Sequence, residues 1–240
     1  KNQTRPADEI WVIDDGSRDD ACLEIARAAL AEMPGVVVHR FDANRGKRHA
    51  QGYAFARTAS DIVVTVDSDT VLDASAIAEG LRPFGDPKVT AVAANVRALN
   101  HRRNLLTRLI DMRYANAFLF ERAAYSTVGS VVCCCGSLSF FRTAVVRRHL
   151  DDFLHQSFLG IQVQYGDDRR LTQYALQDGL VRLQDTAVAY TLVPETLGHY
   201  RRQQLRWNRS FFRESLWAIQ RFGPRRWPFW ISVAELAVWM

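Results

Sequence analysis

The 240-residue sequence predicts an α/β fold, a mostly parallel sheet with helices on its faces. Three observations predict it. Short β-rich runs alternate with helical patterns through the first half, acidic clusters follow two of those runs directly, and no linker rich in Pro, Gly or Ser divides the chain. In such sheets, ligands bind in the crevice beyond the carboxyl ends of the strands.

Taken in order, EIWVI at residues 9–13 reads as a strand that ends in the turn Asp14-Asp15-Gly16-Ser17. A helical stretch at 19–33, a strand at 36–41, a helix near 47–58 and a strand at 61–66 come next. After Asp67-Ser68-Asp69 a helix begins near Ala74, and residues 89–96 form a further strand. The second half changes character. Residues 105–126 carry a long helical pattern, with Leu105, Leu109 and Met112 at helical spacing. Residues 131–142 are β-like and hold three adjacent cysteines; the acidic turn Gly166-Asp167-Asp168 leads into a helix at 171–178. A strand-like run at 181–190 and an amphipathic helix at 197–222 complete the pattern.

Composition is that of a globular protein, 48% hydrophobic and 24% charged, which argues against disorder over most of the length. The net charge of +5 is unevenly spread, with eight arginines from Arg201 to Arg226. Such a cluster attracts phosphates, nucleic acid or anionic headgroups, or forms a solvated helix face. The interleaved Trp207, Phe211, Phe212, Trp217, Phe222, Trp227 and Trp230 suit a membrane interface, and no RNA- or DNA-binding motif accompanies them, so nucleic acid is not an expected partner. Cys22 stands alone, and Cys133, Cys134 and Cys135 in a row suit neither a secreted disulfide framework nor a zinc site; reduced thiols in the cytoplasm are the simplest account. Residues 227–240, WPFWISVAELAVWM, are apolar except for Ser232 and Glu235. A spanning helix needs about 20 residues, so this run is expected to be the first part of one or a buried terminal helix. Arginines just before it place the preceding residues on the cytoplasmic side.

Five motifs carry the chemistry. Asp67-Ser68-Asp69 offers two carboxylates at a strand end that can converge on one hard cation, with diphosphate oxygens filling other positions; Asp and Ser are also good turn formers. Asp14-Asp15-Gly16-Ser17 can accept hydrogen bonds from a base and ribose, or simply turn the chain. Asn44-Arg45-Gly46-Lys47-Arg48-His49 opens a helix with a basic loop suited to phosphate, and it is neither a Walker A loop nor GxGxxG. In Gly166-Asp167-Asp168-Arg169 one carboxylate can act as a general base, and the pair also suits a helix start. Gln203-Gln204-Leu205-Arg206-Trp207 supplies a guanidinium for phosphate and an indole for a sugar face or for packing.

The order DDGS, DSD, GDDR, QxxRW, together with NLLTRLIDMRYANAFLFERAA, GDDRRLTQYAL and QQLRWNRSFFRES, resembles the processive family 2 glycosyltransferases, and within them the class I hyaluronan synthases, over nearly the whole chain. The resemblance implies a GT-A fold, a Rossmann-like mixed, mostly parallel sheet flanked by helices, followed by an interfacial helix that leads into a partial transmembrane segment. Residues 1–222 would be the catalytic domain and 223–240 the start of a membrane-associated segment. It implies that Asp14 and Asp15 hold the uridine with Lys47 close by, and that Asp67 and Asp69 hold the nucleotide and its Mg2+ or Mn2+, Asp69 as the more direct ligand. Asp168 would be the base, Gln203 and Arg206 would grip the diphosphate, and Trp207 and Cys135 would line the acceptor site.

The implied reaction is inverting transfer from UDP-GlcNAc and UDP-glucuronate to a growing polysaccharide at the cell membrane, in contact with lipid, with the catalytic domain on the cytoplasmic side. A chitin-oligosaccharide synthase is the neighbouring alternative; an inactive fragment and a basic membrane-binding module are others. Two departures stand out. The family's VPxYNE-like first strand is not in this sequence, and Cys135-Gly136-Ser137-Leu138 lacks the proline of the subgroup's Cys-x-Gly-Pro-Leu.

Overall fold

The structure, a computed structural model, describes residues 2–239, so Lys1 and Met240, the outer ends of the two expected segments, lie outside the described residues. Strand β1 (Ile10–Asp14), helix α1 (Ala21–Leu30) and strand β2 (Val36–Arg40) open the chain, and β1 and β2 pair in parallel. Helix α2 (Lys47–Arg57) leads to β3 (Ile62–Thr65), which an acidic turn joins to β4 (Thr70–Leu72). Helix α3 (Ala76–Leu81), a 3-10 turn and the long strand β5 (Val89–Ala98) follow. Then come α4 (Leu105–Asn116), a π-helical turn (Ala117–Arg122), α5 (Ala123–Thr127) and β6 (Ser139–Arg142). Two short helices, α6 (Thr143–Arg148) and α7 (Leu150–Leu154), precede the hairpin β7 (Ser157–Phe158) and β8 (Ile161–Gln162). Helix α8 (Asp167–Asp178), β9 (Leu180–Thr191), α9 (Leu197–Phe222) and α10 (Trp227–Trp239) complete the described chain.

The main sheet has the order β3-β6-β5-β9-β4. It is mixed, which corrects the expectation of mostly parallel strands: β6 runs antiparallel to β3 and β5, β4 antiparallel to β9, and only β5 and β9 pair in parallel. The physical reason lies in the connections. Parallel neighbours need a long crossover, usually helical, whereas the chain after β3 turns at Asp67–Thr70, with Thr70 N–H donating to Asp67 O at 3.1 Å, and enters β4 reversed, beside β9 at the opposite edge of the sheet. Strand β6 is reached through an irregular segment.

Alternation along the strands builds two layers. Phe140 packs with Val92, Ala94, Leu138 and Ile77 on the α3 side, while Phe141 packs with Ala91, Ala93, Val145 and Leu176 on the α8 side. Gly80 is required where α3 crosses the sheet, since a Cβ there would lie 2.0 Å from the Phe140 ring. Ala218, Phe222 and Ile231 carry α9 and α10 into the α8-side core.

Two other expectations need correction. The helical pattern at 105–126 is divided by the π turn, and its stripe faces outward: Leu105, Leu109 and Met112 are 71%, 52% and 67% exposed. The inward face is Leu106, Ile110 and Tyr114, which pack on Ala98, Val193 and Tyr200. Of the β-like residues 131–142, only Ser139–Arg142 form a strand. The rest run irregularly because side chains bind their backbone: Thr172 Oγ1 accepts from Cys134 N–H at 2.8 Å, and Arg122 Nε donates to Cys133 O at 3.0 Å. No helix among the described residues is long and apolar enough to cross a membrane, and the expected partial segment is the 13-residue α10. Helix α10 packs on α9 through Ile231 and Leu236 and leaves Trp227, Trp230, Val238 and Trp239 exposed.

Candidate active site

The expected site residues lie on loops and helix starts around the sheet. At the end of β1, Asp14 Oδ1 accepts from Ser17 N–H at 2.9 Å, and the Ser17 hydrogen bonds, aided by Arg40, hold its carboxyl below the usual aspartate range. Its Oδ2 is buried, with no hydrogen-bond partner and only Arg40 Nε at 3.4 Å. Asp15 instead orders the basic loop. Its carboxylate accepts from the backbone N–H groups of Arg45 and Gly46, each at 2.8 Å, and from Asn44 Nδ2 at 3.0 Å. Gly16 lets the two loops touch: its φ is +74°, and a Cβ would lie 2.6 Å from the Ala43 carbonyl carbon.

Lys47, the first residue of α2, forms an ion pair with Asp67. Burial opposes the Lys47 charge, but Asp67, with Asp168 and Asp167 beyond it, outweighs that and holds the ammonium above the ordinary lysine value. Gly136 forms the floor of this contact. A Cβ there would lie 2.8 Å from Lys47 Nζ and 2.9 Å from Asp67 Oδ2, so the cysteine segment approaches the pair only through a glycine. Two residues after Asp67, Asp69 is exposed and accepts from Thr191 Oγ1 at 3.3 Å.

Asp168 lies in the first turn of α8, where carboxylates are favoured by the helix dipole. Its Oδ1 accepts from Arg169 N–H at 2.8 Å, and Thr172 Oγ1 donates to Asp168 O at 2.7 Å while accepting from Cys134 N–H. One hydroxyl thus ties the cysteine segment to the helix that carries Asp168. Burial pushes the Cys135 thiol up to about 12 and raises Cys133 and Cys134 as well. All three are therefore neutral thiols at physiological pH, and thiolate is the reactive form. Iodoacetamide at about pH 8 is expected to alkylate the exposed Cys22 at least about tenfold faster than any of the three. Peptide mass spectrometry over time checks this, and equal rates would contradict it.

Helix α9 brings the remaining residues. Gly166 caps α8 with φ +94°, and a Cβ there would lie 2.7 Å from both Ser210 Cβ and Arg213 Nη2. Arg213 also donates to Tyr165 O, and the Arg206 guanidinium stands 5.8 Å from the centre of the Tyr165 ring. Arg206 and Arg213, two turns apart, therefore flank the segment that enters the Asp167-Asp168 turn. Gln203 and Arg206 border an open surface depression along α9 with His199, Arg202, Leu205 and Arg209, and Gln203 Oε1 is buried without a partner. Trp207 is 42% exposed. Gly166→Ala is expected to cost about 1–2 kcal/mol from the left-handed backbone alone, before the clash with α9. A lowered Tm measures it; an unchanged one would contradict the close approach.

The structure thus gathers Lys47, Asp67, Cys135, Gly136 and Asp168, with Asp69 next along the same turn. Asp14 and Asp15 lie across the basic loop, and Arg206 meets Tyr165. Several polar contacts lay outside the sequence reading, and Arg48, which that reading offered to phosphate in the basic loop, is buried instead. Arg48 pairs with Asp167, and Glu214 accepts from Arg170, Arg213 and Gln156, all beside the expected residues. Arg169 binds Glu235 of α10 at 3.0 Å. Burial opposes the Arg169 charge, yet Glu235 outweighs it and raises its pKa. The lone acid in the apolar terminal run was the available signal for that contact.

Among the described residues no three His, Cys, Asp or Glu side chains gather to hold a metal. Asp67 and Asp69 supply two hard oxygen donors on one turn, and Asp69 is open to solvent. That set fits Mg2+ or Mn2+ shared with phosphate oxygens, the usual mode for these ions, and does not fit an all-protein cage.

Comparison with known proteins agrees with this geometry. The profile of "Glycosyltransferase like family 2" matches residues 1–210. The chain is 45% identical over 223 residues to a hyaluronan synthase of Streptococcus pyogenes, covering 91% of this chain and 53% of that protein. It is 40% identical over 212 residues to an N-acetylglucosaminyltransferase of Azorhizobium caulinodans, covering 88% and 53%. The chain spans about half the length of the curated relatives it matches. In fold it is similar to the mannosyltransferase PcManGT of Pyrobaculum calidifontis, solved with GDP-Man and Mn2+, at a TM-score of 0.69, 20% identity and coverage of 99% and 68%. It is also similar to S. aureus TarS 1-349 in complex with UDP, at a TM-score of 0.59, 16% identity and coverage of 90% and 58%. The mixed sheet flanked by helices is therefore GT-A-like, and the chain belongs to glycosyltransferase family 2.

Proposed function

We propose that the chain is the catalytic part, residues 1–222, of a membrane enzyme that transfers sugar from UDP-sugar donors to a growing polysaccharide with inversion. The product is hyaluronan, made from UDP-GlcNAc and UDP-glucuronate. The observation that carries the reading is the Lys47–Asp67 pair against Gly136 with the Asp168 helix tied to the same segment. In this reading Lys47 supplies the cation, Asp67 a carboxylate for a metal and Asp168 a carboxylate for a base.

In this reading Asp14 and Asp15 face the uridine, with Lys47 close by. Lys47, Gln203 and Arg206 bind the diphosphate, whose charge grows as the glycosidic bond breaks; oriented cations there act mainly on the transition state. Asp67 and Asp69 would hold Mg2+ or Mn2+, which when bound offsets diphosphate charge. Asp168 takes the proton of the acceptor hydroxyl as its oxygen attacks the anomeric carbon from the face opposite UDP. Trp207 and Cys135 line the acceptor side, the indole offering a flat apolar surface to a sugar ring.

Membrane lipid is the remaining partner, with the catalytic residues on the cytoplasmic side and 223–240 in the membrane-associated part. The outward stripe of Leu105, Leu109 and Met112 beside Arg102, Arg103 and Arg108, and the exposed Trp227, Trp230 and Trp239 of α10, support it. The 40% identical N-acetylglucosaminyltransferase favours a second reading, a chitin-oligosaccharide synthase that uses UDP-GlcNAc alone. Membranes carrying the full-length protein, incubated with each donor singly and with both, decide between them. Polymer only with both donors is expected; polymer from UDP-GlcNAc alone would reject hyaluronan.

A further inference from the structure

Beneath the cleft lies a polar cluster to which the proposed chemistry assigns no part. Glu214 on α9 is 0% exposed. Its Oε2 accepts from Arg170 Nε at 2.7 Å, and its Oε1 accepts from Gln156 Nε2 and Arg213 Nε, each at 2.8 Å. Its backbone carbonyl accepts from Gln173 Nε2 at 2.8 Å. Gln156, 5% exposed, turns its Oε1 to Arg48 Nη1, while Arg48 Nε donates to Asp167 Oδ1 at 2.8 Å and Nη1 to Phe153 O at 2.9 Å.

The chain of contacts runs through the neighbours of the proposed site residues. Arg48 follows Lys47, Asp167 precedes Asp168, and Arg170 lies in the first turn of the same helix. Along α9, Glu214 falls seven residues after Trp207 and eleven after Gln203, so at about 100° per residue the three share one face. Three helices that each carry part of the proposed site, α2, α8 and α9, are thus cross-linked through one carboxylate and one amide. A buried charge cluster is a poor way to gain stability, since apolar side chains of the same volume do as well or better. What it supplies is directionality: apolar packing tolerates rotation and sliding of a helix, whereas Glu214 can meet Arg170 and Gln156, its two side-chain partners off α9, together only at one rotation and one height of α9.

We infer that Glu214 is a positioning residue that sets the register of α9, and so of Gln203, Arg206 and Trp207, against Asp168 on α8, with Gln156 extending that register to the Lys47 helix. The inference rests on the proposed transferase function. Because Glu214 touches no substrate in this account, its loss acts on turnover through geometry.

The test uses the purified full-length protein and its Glu214→Gln, Glu214→Asp and Gln156→Leu variants. Bound UDP is counted by calorimetry, and kcat is expressed per UDP-binding site. Counting sites removes the contribution of unfolded molecules, which a merely stabilising role would affect. Glu214→Gln keeps the size and loses the charge; Glu214→Asp keeps the charge and draws it back by one methylene. Both are expected to lower kcat per site at least tenfold with UDP still binding at one per chain, the Asp variant failing because distance matters as well as charge. A kcat per site within twofold of wild type in Glu214→Asp overturns the inference. If either Glu214 variant binds no UDP, Gln156→Leu decides, with at least a threefold fall in kcat per site expected and wild-type turnover overturning it. Should the wild-type protein itself bind no UDP and transfer no sugar, the transferase reading fails first, a result visible before any variant is made.

Discussion

Asp168→Asn in the full-length protein is expected to reduce sugar transfer by about 100- to 10,000-fold, the usual contribution of a positioned general base, with UDP affinity nearly unchanged. The substitution is close to isosteric. Asn retains an oxygen that can accept from Arg169 N–H as Asp168 Oδ1 does at 2.8 Å, and the Thr172 hydrogen bond to Asp168 O involves only the backbone. Helix α8 and its tie to Cys134 should therefore persist, and the loss is confined to proton acceptance. Turnover assays paired with UDP calorimetry separate the two effects. Wild-type turnover in the variant would refute the assignment.

Asp69→Ala should act on binding. Asp69 is exposed, and its recorded contact is Thr191 Oγ1 at 3.3 Å, so removing its carboxylate leaves the fold intact. If it is a metal ligand, UDP affinity measured in Mn2+ should fall at least about tenfold, the scale on which even outer-shell changes alter metal affinity. Affinity measured in chelator should not change. Equal Mn2+-dependent affinity in variant and wild type would count against the ligand role.

Residue patterns anticipate the architecture better than its directions. Helix α9 was legible to its end residues because its apolar face, the Thr196 cap and Gly223 agree. Strand direction was not: β4 follows β3 with no helix between them, and β6, though helices precede it, enters the sheet antiparallel from the irregular segment 128–138. The stripe Leu105, Leu109, Met112 has helical spacing but points outward, since periodicity identifies a face and is silent on what covers it. The irregular path of 131–138 depends on Thr172 and Arg122, partners distant in sequence.

For the site, the sequence shows placement: Asp14-Asp15 and Asp67-Ser68-Asp69 stand directly after strands, where such sheets bind ligands, and Asp167-Asp168 stands at a helix start. One assignment is sharpened by geometry: Asp67 is held by Lys47, which leaves the exposed Asp69 as the more open member of that pair, whereas Asp14 and Asp15 are both engaged, Asp14 by Ser17 and Arg40 and Asp15 by the Asn44–Gly46 loop. The pairing of Arg48, Asp167, Gln156, Arg170 and Glu214 was illegible because its members are spread from residue 48 to 214, and no local pattern links them.

One measurement bears most directly on the claim that these separate segments share a single nucleotide diphosphate. It is an experimental structure of the full-length protein with UDP and Mn2+, with manganese located by anomalous scattering. The account predicts a manganese peak at the Asp67–Asp69 turn and diphosphate oxygens within hydrogen-bond reach of Lys47 and Arg206, with Asp168 facing the same cleft. Manganese bound elsewhere, or a diphosphate remote from both Lys47 and Arg206, would contradict it.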